Sequence, residues 1–310
     1  MQKNQWIYSN GVTGGRNVDS HIAVVRARAA AERSRAARAG GLSAQYGAWA
    51  EHKSAPLRSV FFDIAELHRR AERRHLISAG LHDLHADQIE RWLLTGLAAD
   101  SREPVFMDAV AAVLRIPWAA VVVPGLGSAA AIAAVSDQVA RDACDIEAVM
   151  GEGPLLASAA EGITIAVAGQ DLWRRWPRYG PAVAELGVRS VVATPLGGPG
   201  GHLGTLGAYG QDSGPPARLI RQSEQVAAVL AGVLVDEERT EGAAATIEVL
   251  RVAGAGETWT AFHQAAGMVS VHCRCTLEQA RDLIAARAFA DGSPLREIAV
   301  AIVQGNLRLC

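Results

Sequence analysis

Apolar residues that recur at alternating steps of four and three constrain the fold of this chain more than any other sequence feature. They begin near residue 60 and define one face of a helix whose other face is charged, as at Glu66, Arg69 and Arg73. Such a helix needs an apolar partner surface, which a second copy of the same helix often supplies. The sequence therefore predicts a dimerisation helix over residues 60–98, and hence a homodimer. The apolar positions are Val60, Ile64, Leu67, Ala71, Ile77, Leu81 and Leu84.

The same helix carries a row of histidines. His68, His75 and His82 follow at seven-residue steps, and His85 lies one turn beyond. Seven residues span about 10 Å of helix, and no carboxylate or cysteine is evidently placed to complete a metal shell. A polar or interface role is therefore favoured over metal or haem binding, and no metal site is predicted.

Residues 1–59 combine a Gly/Asn-rich start, an Ala/Arg-rich segment and turn-forming glycines and proline. We expect a poorly ordered N-terminal extension. Its arginines could attract RNA or lipid, although a solvated Ala/Arg helix is favoured. These arginines are Arg26, Arg28, Arg33, Arg35 and Arg38.

Short β-prone runs alternate with helical patterns over residues 99–240. Brief Gly/Pro connections favour an antiparallel sheet covered by helices, so the predicted fold class is α+β. The uncharged residues 116–135 are long enough to cross a bilayer, but Pro117 and Pro124 interrupt them. Two core strands joined by a turn are therefore favoured, with no membrane span. The predicted strands cover 119–123, 130–135, 163–167, 188–195 and 203–209, and the predicted helices cover 106–114 and 217–238.

An Ala/Gly-rich hinge at residues 241–256 precedes a predicted three-helix module at residues 257–310. Thr276 and Gln279 match a capping box at the start of the second helix. Gly292 follows that helix, and Ser293 with Pro294 marks the start of the third.

Charge and cysteine content narrow the functional classes. A net charge of −2 excludes a whole-protein electrostatic attraction to nucleic acid or acidic membranes. Four unevenly placed cysteines do not frame a disulfide scaffold, so a reducing cytoplasm is the predicted location. His272, Cys273 and Cys275 supply only three local zinc donors, so a structural role at a helix end is favoured. Motifs of nucleophilic, phosphoryl-transfer and metallopeptidase enzymes are absent, so no enzyme is predicted.

Gly125, Gly127 and Ala130 form a GxGxxA motif after a predicted strand. In a dinucleotide site such glycines let a helix N-terminus approach the pyrophosphate, and Asp145 or Glu147 would stand near the ribose. No regular series of βαβ units follows the motif. A hairpin turn is therefore favoured, and a dinucleotide-binding enzyme is a further alternative.

Two stretches of the chain resemble known domain families. Residues 150–154 (MGEGP), 175–177 (RWP), 186–190 (LGVRS), 193–196 (ATPL) and 203–206 (LGTL) are similar to the ordered motifs of GAF domains in actinobacterial regulators. Residues 257–308 resemble the ANTAR domain, through 263–271 (HQAAGMVSV), Ala280, 288–290 (AFA), 294–295 (PL) and 298–299 (IA).

The resemblance implies a GAF-like sensor, with a small-molecule pocket between sheet and helices, that controls an RNA-binding output module. ANTAR domains capture paired RNA hairpins and prevent transcription termination. The candidate pocket residues are Trp118, Trp173, Trp176 and Tyr179. The candidate RNA-binding residues are Ala265, Gly267, Arg274, Arg281, Arg287 and Arg296.

The chain departs from the ANTAR pattern at two positions. Ala266 stands where many members carry lysine, and Ala285 stands where an arginine is expected, so two phosphate-binding charges are missing. Our leading hypothesis is a signal-responsive transcription regulator that binds structured RNA. The alternative is a ligand-binding or protein-interaction module whose output helices no longer bind RNA.

Overall fold

The computed structural model describes residues 5–94, 104–123, 132–198, 201–241, 258–291, 293 and 295–310. The chain forms two compact units, Met1–Ala109 and Val110–Cys310. Its fold is α+β, as the sequence predicts. The GxGxxA motif and nearly all of the predicted hinge lie outside the described residues. Within these ranges, no helix has the length and apolar character needed to cross a membrane.

Two long antiparallel helices make up most of the first unit. Helix α1 spans Gln5–Glu51 and helix α2 spans Ala55–Leu94. Near the connecting turn the Ser43 hydroxyl donates to the Ala65 carbonyl, and farther along Arg26 donates to Asp87. Helix α1 of the same chain therefore packs on α2 and buries part of its surface.

The packed side of α1 consists mainly of small residues at heptad spacing. Its buried positions are Val25, Ala29, Glu32, Ala36, Ala39, Ser43 and Ala50. Small side chains let two helix backbones approach closely, and Gly40 leaves the space that the Glu72 carboxylate occupies. The expectation of a poorly ordered extension is thus wrong for residues 5–51, because alanine at heptad spacing builds a helical interface as larger residues do.

The apolar stripe predicted on α2 is only partly buried. Leu81 is fully buried, whereas Val60 and Leu67 are 51% and 64% exposed. In this part of α2 the residues packed on α1 lie one position after the predicted ones. Ala65 is buried there, and Ile64 is only partly buried. The first half of α2 therefore presents an apolar stripe that α1 does not cover.

The second unit contains a five-stranded antiparallel sheet. The strands are β1 (Trp118–Val123), β2 (Ile132–Val135), β3 (Ile165–Ala168), β4 (Ser190–Gly198) and β5 (Gly201–Gly210), in the order β2-β1-β5-β4-β3. The predicted antiparallel sheet is confirmed. Ala120 lies opposite Val135, so residues 124–131 connect two paired strands. This connection leads into a strand, and a dinucleotide site requires one that leads into a helix.

Six of the described helices precede, separate or follow the strands along the chain. They are α3 (Phe106–Leu114), α4 (Gln138–Met150), α5 (Pro154–Glu161), α6 (Gly169–Arg175), α7 (Tyr179–Glu185) and α8 (Ala217–Glu241). Val191 and Ala193 of β4 enter a core shared with α4 to α7. Because side chains alternate along a strand, Val192 and Thr194 point to the opposite face, where α8 packs.

Three further helices form the predicted module. They are α9 (Thr258–Cys273), α10 (Leu277–Asp291) and α11 (Leu295–Val303). The capping box is confirmed, because the Thr276 amide donates to Gln279 Oε1 at 3.0 Å and the Gln279 amide donates to Thr276 Oγ1 at 3.2 Å. Gly292 and Pro294 lie outside the described residues.

A disulfide joins Cys273 at the end of α9 to Cys310. The sequence predicts no disulfide scaffold, because its four cysteines are few and unevenly placed. The fold brings the Cα atoms of this pair to 5.6 Å, a separation that spacing alone does not predict.

Candidate functional site

Helix α4 carries a buried polar cluster. The Asp137 carboxylate caps its start by accepting from the amides of Val139 and Ala140, and Gly151 ends it in the left-handed conformation at φ 67°. Cys144 and Glu147 lie one turn apart on its buried side, with 1% and 3% of their surface exposed. The helix thus holds a thiol and a carboxyl inside the core of the sheet domain.

Glu147 is the most unusual group in the cluster. Its Oε1 accepts a hydrogen bond from the Leu156 amide at 2.7 Å, and Oε2 has no partner in the described part of the chain. A side chain at Gly153 would collide with this carboxyl, so glycine is required there. Burial raises the pKa of Glu147 to about 8, although backbone hydrogen bonds from Leu156 and Leu155 oppose the rise. At neutral pH the carboxyl is therefore mainly protonated, and Oε2 is available as a hydrogen-bond donor.

Two tyrosines complete the cluster. Tyr209 Oη lies 3.3 Å from Cys144 Sγ, and both groups are fully buried. Tyr179 is also fully buried, and its Oη finds no partner among the described residues. Burial raises the pKa of both tyrosines and of the Cys144 thiol, so all of these groups are uncharged at neutral pH. Uncharged donors and acceptors in an apolar core suit a small neutral polar ligand.

The four pocket candidates from the sequence have different surroundings. Tyr179 belongs to the cluster, and Trp176 is buried in the same core. Trp118 is partly buried against that core, whereas Trp173 is 49% exposed.

Sequence analysis did not assign Cys144, Glu147 or Tyr209 to a sensor site. Glu147 drew notice only as an acid near the GxGxxA motif. The sequence does contain one signal for a buried Glu147. This acidic residue lies among apolar positions of α4, seven residues before Pro154.

The RNA-binding candidates on the helical module are not all on its surface. Ala265 is fully buried, whereas Gly267 faces open space. Arg274 and Arg287 are exposed, and Arg287 donates to Asp291 at 2.7 Å. Arg281 is partly buried, and its Nε has no partner among the described residues. The side chain of Arg296 lies outside the described residues.

The two departures from the ANTAR pattern also face inward. Ala266 is 1% exposed within the core of the module, and Ala285 packs against that core. A lysine at position 266 would therefore meet apolar side chains in this arrangement. Alanine at these positions completes the packing of the module.

The histidine row lies between the two long helices of the first unit. His68 stacks on Tyr46, with 5.6 Å between ring centroids, and His75 Nδ1 lies 2.7 Å from Glu32 Oε2. His82 and His85 are buried against Phe106. The described residues include no cluster of three or more histidine, cysteine or acidic side chains suited to a metal. These histidines therefore take part in the packing of the first unit.

Helix α4 also reaches the helical module. Val149, near its end, is buried in the core formed by α9, α10 and α11. Beside this contact Arg178 donates to Asp282 of α10 at 2.8 Å, and the Arg178 amide donates to Glu152 at 2.6 Å. One helix therefore contributes side chains to both cores of the second unit.

The fold and this site define an α+β sheet domain with a buried polar cluster, packed directly on a three-helix module. A scan of protein-family models finds no match to the sequence, and a comparison with curated proteins finds none either.

Proposed function

We propose that this chain is a signal-responsive regulator. Its sheet domain binds a small molecule at the buried polar cluster, and its helical module binds structured RNA. The observation that carries the proposal is the position of α4, because Cys144 of this helix belongs to the cluster while Val149 belongs to the core of the module.

Packing provides the physical path for the signal. A ligand that pairs with Glu147 Oε2 and Tyr179 Oη must displace or reorient side chains along α4, since protein interiors are close packed. Val149 carries the same displacement into the module. The exposed ion pair between Arg178 and Asp282 adds little energy, so the buried contact is the main link.

The resemblance of residues 257–308 to the ANTAR domain supports RNA as the output partner. Arg274 and Arg287 are exposed on the module, and Nε of the partly buried Arg281 has no partner in the described part of the chain. Guanidinium groups bind phosphates through several parallel hydrogen bonds. These three arginines are the proposed phosphate contacts.

A protein-interaction module is the second candidate function, and the charge distribution favours it. Arg287 is already paired with Asp291, and Asp282 is paired with Arg178. Part of the charge of the module is therefore neutralised within the chain.

RNA binding is tested with the full chain and a pool of structured leader RNAs in mobility-shift titrations at several salt concentrations. We expect salt-sensitive binding, and each of Arg281→Ala and Arg287→Ala should lower the slope of log affinity against log salt by about one. Arg174→Ala on α6 removes the same charge from an exposed position of the sheet domain and should leave the slope unchanged. Affinity equal to that for random RNA would move the assignment to the protein-interaction module.

The same complex tests the role of α4. Coupling between two sites is reciprocal, so RNA bound to the module should change hydrogen exchange in peptides that cover Gln138–Met150. RNA binding without any such change would show that the helical module is not coupled to the proposed small-molecule site.

The proposal includes a homodimer through α2. Leu57, Val60 and Leu67 are each about half exposed or more and follow heptad spacing, as in a helix that packs on a second copy. Leu67→Glu should therefore shift the chain from dimer to monomer in sedimentation experiments. Leu76→Glu lies off this stripe at a position that is also 51% exposed, and it should leave the dimer intact. A wild-type chain that sediments as a monomer would contradict the dimer.

A further inference from the structure

Three cysteines lie close together in the helical module. Cys273 ends α9, Cys275 follows two residues later, and Cys310 lies seven residues beyond the end of α11. Cys273 and Cys310 form the disulfide, while Cys275 is a free, partly buried thiol. The module therefore contains one bridged pair and one nearby thiol.

Noncovalent contacts hold both partners of the disulfide in place. On one side, the Cys275 amide donates to the Ser270 carbonyl at 3.1 Å, and Ser270 Oγ donates to the Cys275 carbonyl at 2.7 Å. On the other side, the Leu307 amide donates to the Ala301 carbonyl at 3.1 Å. These bonds do not depend on the disulfide, so they remain available to position the backbone beside each cysteine after reduction.

The segment after α11 covers the core of the module. Leu307 and Leu309 pack against the apolar cluster that contains Ile284 and Ile298. Between them Arg308 is exposed. The disulfide therefore fastens a segment that already docks through apolar contacts.

We propose that Cys273 and Cys310 are a reversible, peroxide-responsive thiol pair that fastens residues 304–310 onto the helical module. Cys310 is exposed and Cys273 is partly buried, so the Cys310 thiol reacts first. It reduces one molecule of hydrogen peroxide, giving a sulfenic acid and water. The Cys273 thiol then attacks that sulfur, the S–S bond forms, and the hydroxyl group leaves as a second water. Two thiols lose two electrons and two protons in total, and a dithiol reductant reverses the step by exchange.

Formation of the Cys273–Cys310 bond does not require RNA binding by the module. It concerns the attachment of one segment to its own module, and its readouts contain no RNA. Failure of one proposal leaves the other standing.

The test uses the full chain, reduced with dithiothreitol, freed of reductant and then treated with hydrogen peroxide. Peptide mapping without reduction should show the Cys273–Cys310 crosslink after peroxide, and dithiothreitol added to the folded protein should remove it. Cys310→Ser should abolish the crosslink, whereas the matched variant Cys275→Ser should retain it. Absence of the crosslink, a crosslink of Cys310 to Cys275, or resistance to dithiothreitol would each overturn the proposal.

Fastening of the segment has a second readout. Trypsin cleaves after Arg308, and cleavage needs the segment to detach from the module. Oxidation should slow this cleavage by at least about tenfold, since a disulfide commonly stabilises by more than a tenfold change in equilibrium. The oxidised and reduced Cys310→Ser protein should be cleaved at one rate. Equal rates for oxidised and reduced wild type would show that the disulfide fastens nothing.

Discussion

Between about pH 5 and pH 8, the free energy of unfolding of the unit Val110–Cys310 should fall by roughly 1 kcal/mol per pH unit through Glu147 alone. Burial raises the pKa of this carboxyl to about 8 in the folded chain, against an ordinary value of 4.5. The Leu156 amide donates to Oε1 of the folded carboxyl, but burial outweighs the backbone hydrogen bonds and favours the neutral form.

The direction of the effect follows from proton counting. Between pH 4.5 and pH 8 the folded chain keeps a proton on Glu147 that the unfolded chain has released. The stabilising contribution is therefore fully present below pH 4.5, and it is lost as the pH rises through 8. A ligand that hydrogen-bonds to the protonated carboxyl would bind more weakly as the pH rises through about 8.

Glu147→Gln should remove this dependence, because its carboxamide oxygen still accepts from the Leu156 amide and does not titrate. Urea denaturation at pH 5, 6, 7 and 8 measures the slope for both proteins. The control is Glu185→Gln, an exposed carboxylate on α7 of the same domain, and it should leave the slope unchanged. A slope that persists in Glu147→Gln would place the titrating group elsewhere.

The sheet domain was largely predictable because its strands obey local rules. Apolar runs of strand length, such as residues 119–123 and 203–209, lie between Gly/Pro connections, and β1 and β5 occupy them. The capping box at Thr276 likewise specifies the start of α10 from two side chains. Signals of this kind need no knowledge of distant contacts.

The first unit was not predictable by the same rules. Alanine contributes little to an apolar pattern, so the sequence did not predict a helix interface at Ala29, Ala36 and Ala39. All three are buried in the structure. The partner residues on α2 are distant in sequence, since Ser43 meets Ala65 across 22 residues and Arg26 meets Asp87 across 61. Only the fold reveals that Gly40 on α1 makes room for the Glu72 carboxylate on α2.

The candidate sensor site was missed for a related reason. Cys144 and Glu147 share a helix face, but Tyr209 meets Cys144 across 65 residues of sequence. Burial turns an ordinary glutamate into a neutral group, and burial is a property of the assembled core. The disulfide between Cys273 and Cys310 likewise depends on tertiary contacts of the module.

The paired helices α1 and α2 should lose stability in the opposite direction, as the pH falls. Burial lowers the pKa of His82 and of His85 to about 4, against an ordinary value of 6.5. For His82 the positive charge of Arg28 adds to the decrease, while Glu32 and Asp83 oppose it, and for His85 the other histidines His21 and His82 add to it. Both rings are therefore neutral in the folded unit throughout the physiological range.

Below pH 6.5 the unfolded chain takes up protons at these positions and the folded chain does not. The stabilising contribution is therefore present above about pH 6.5 and is lost toward pH 4, by roughly 2 kcal/mol for each histidine at pH 5. The double variant His82→Gln/His85→Gln should reduce this loss of stability at acidic pH. His52→Gln, at an exposed position, should not reduce it.

Urea denaturation at pH 5, 6 and 7 measures the loss, and hydrogen-exchange pulses at one common pH assign the transition to α1 and α2. Because Glu147 destabilises the second unit as the pH rises, the stabilities of the two units should change in opposite directions with pH. Peptides of α1 and α2 that remain protected at pH 5 to the same urea concentration as at pH 7 would show that the buried histidines do not control this unit.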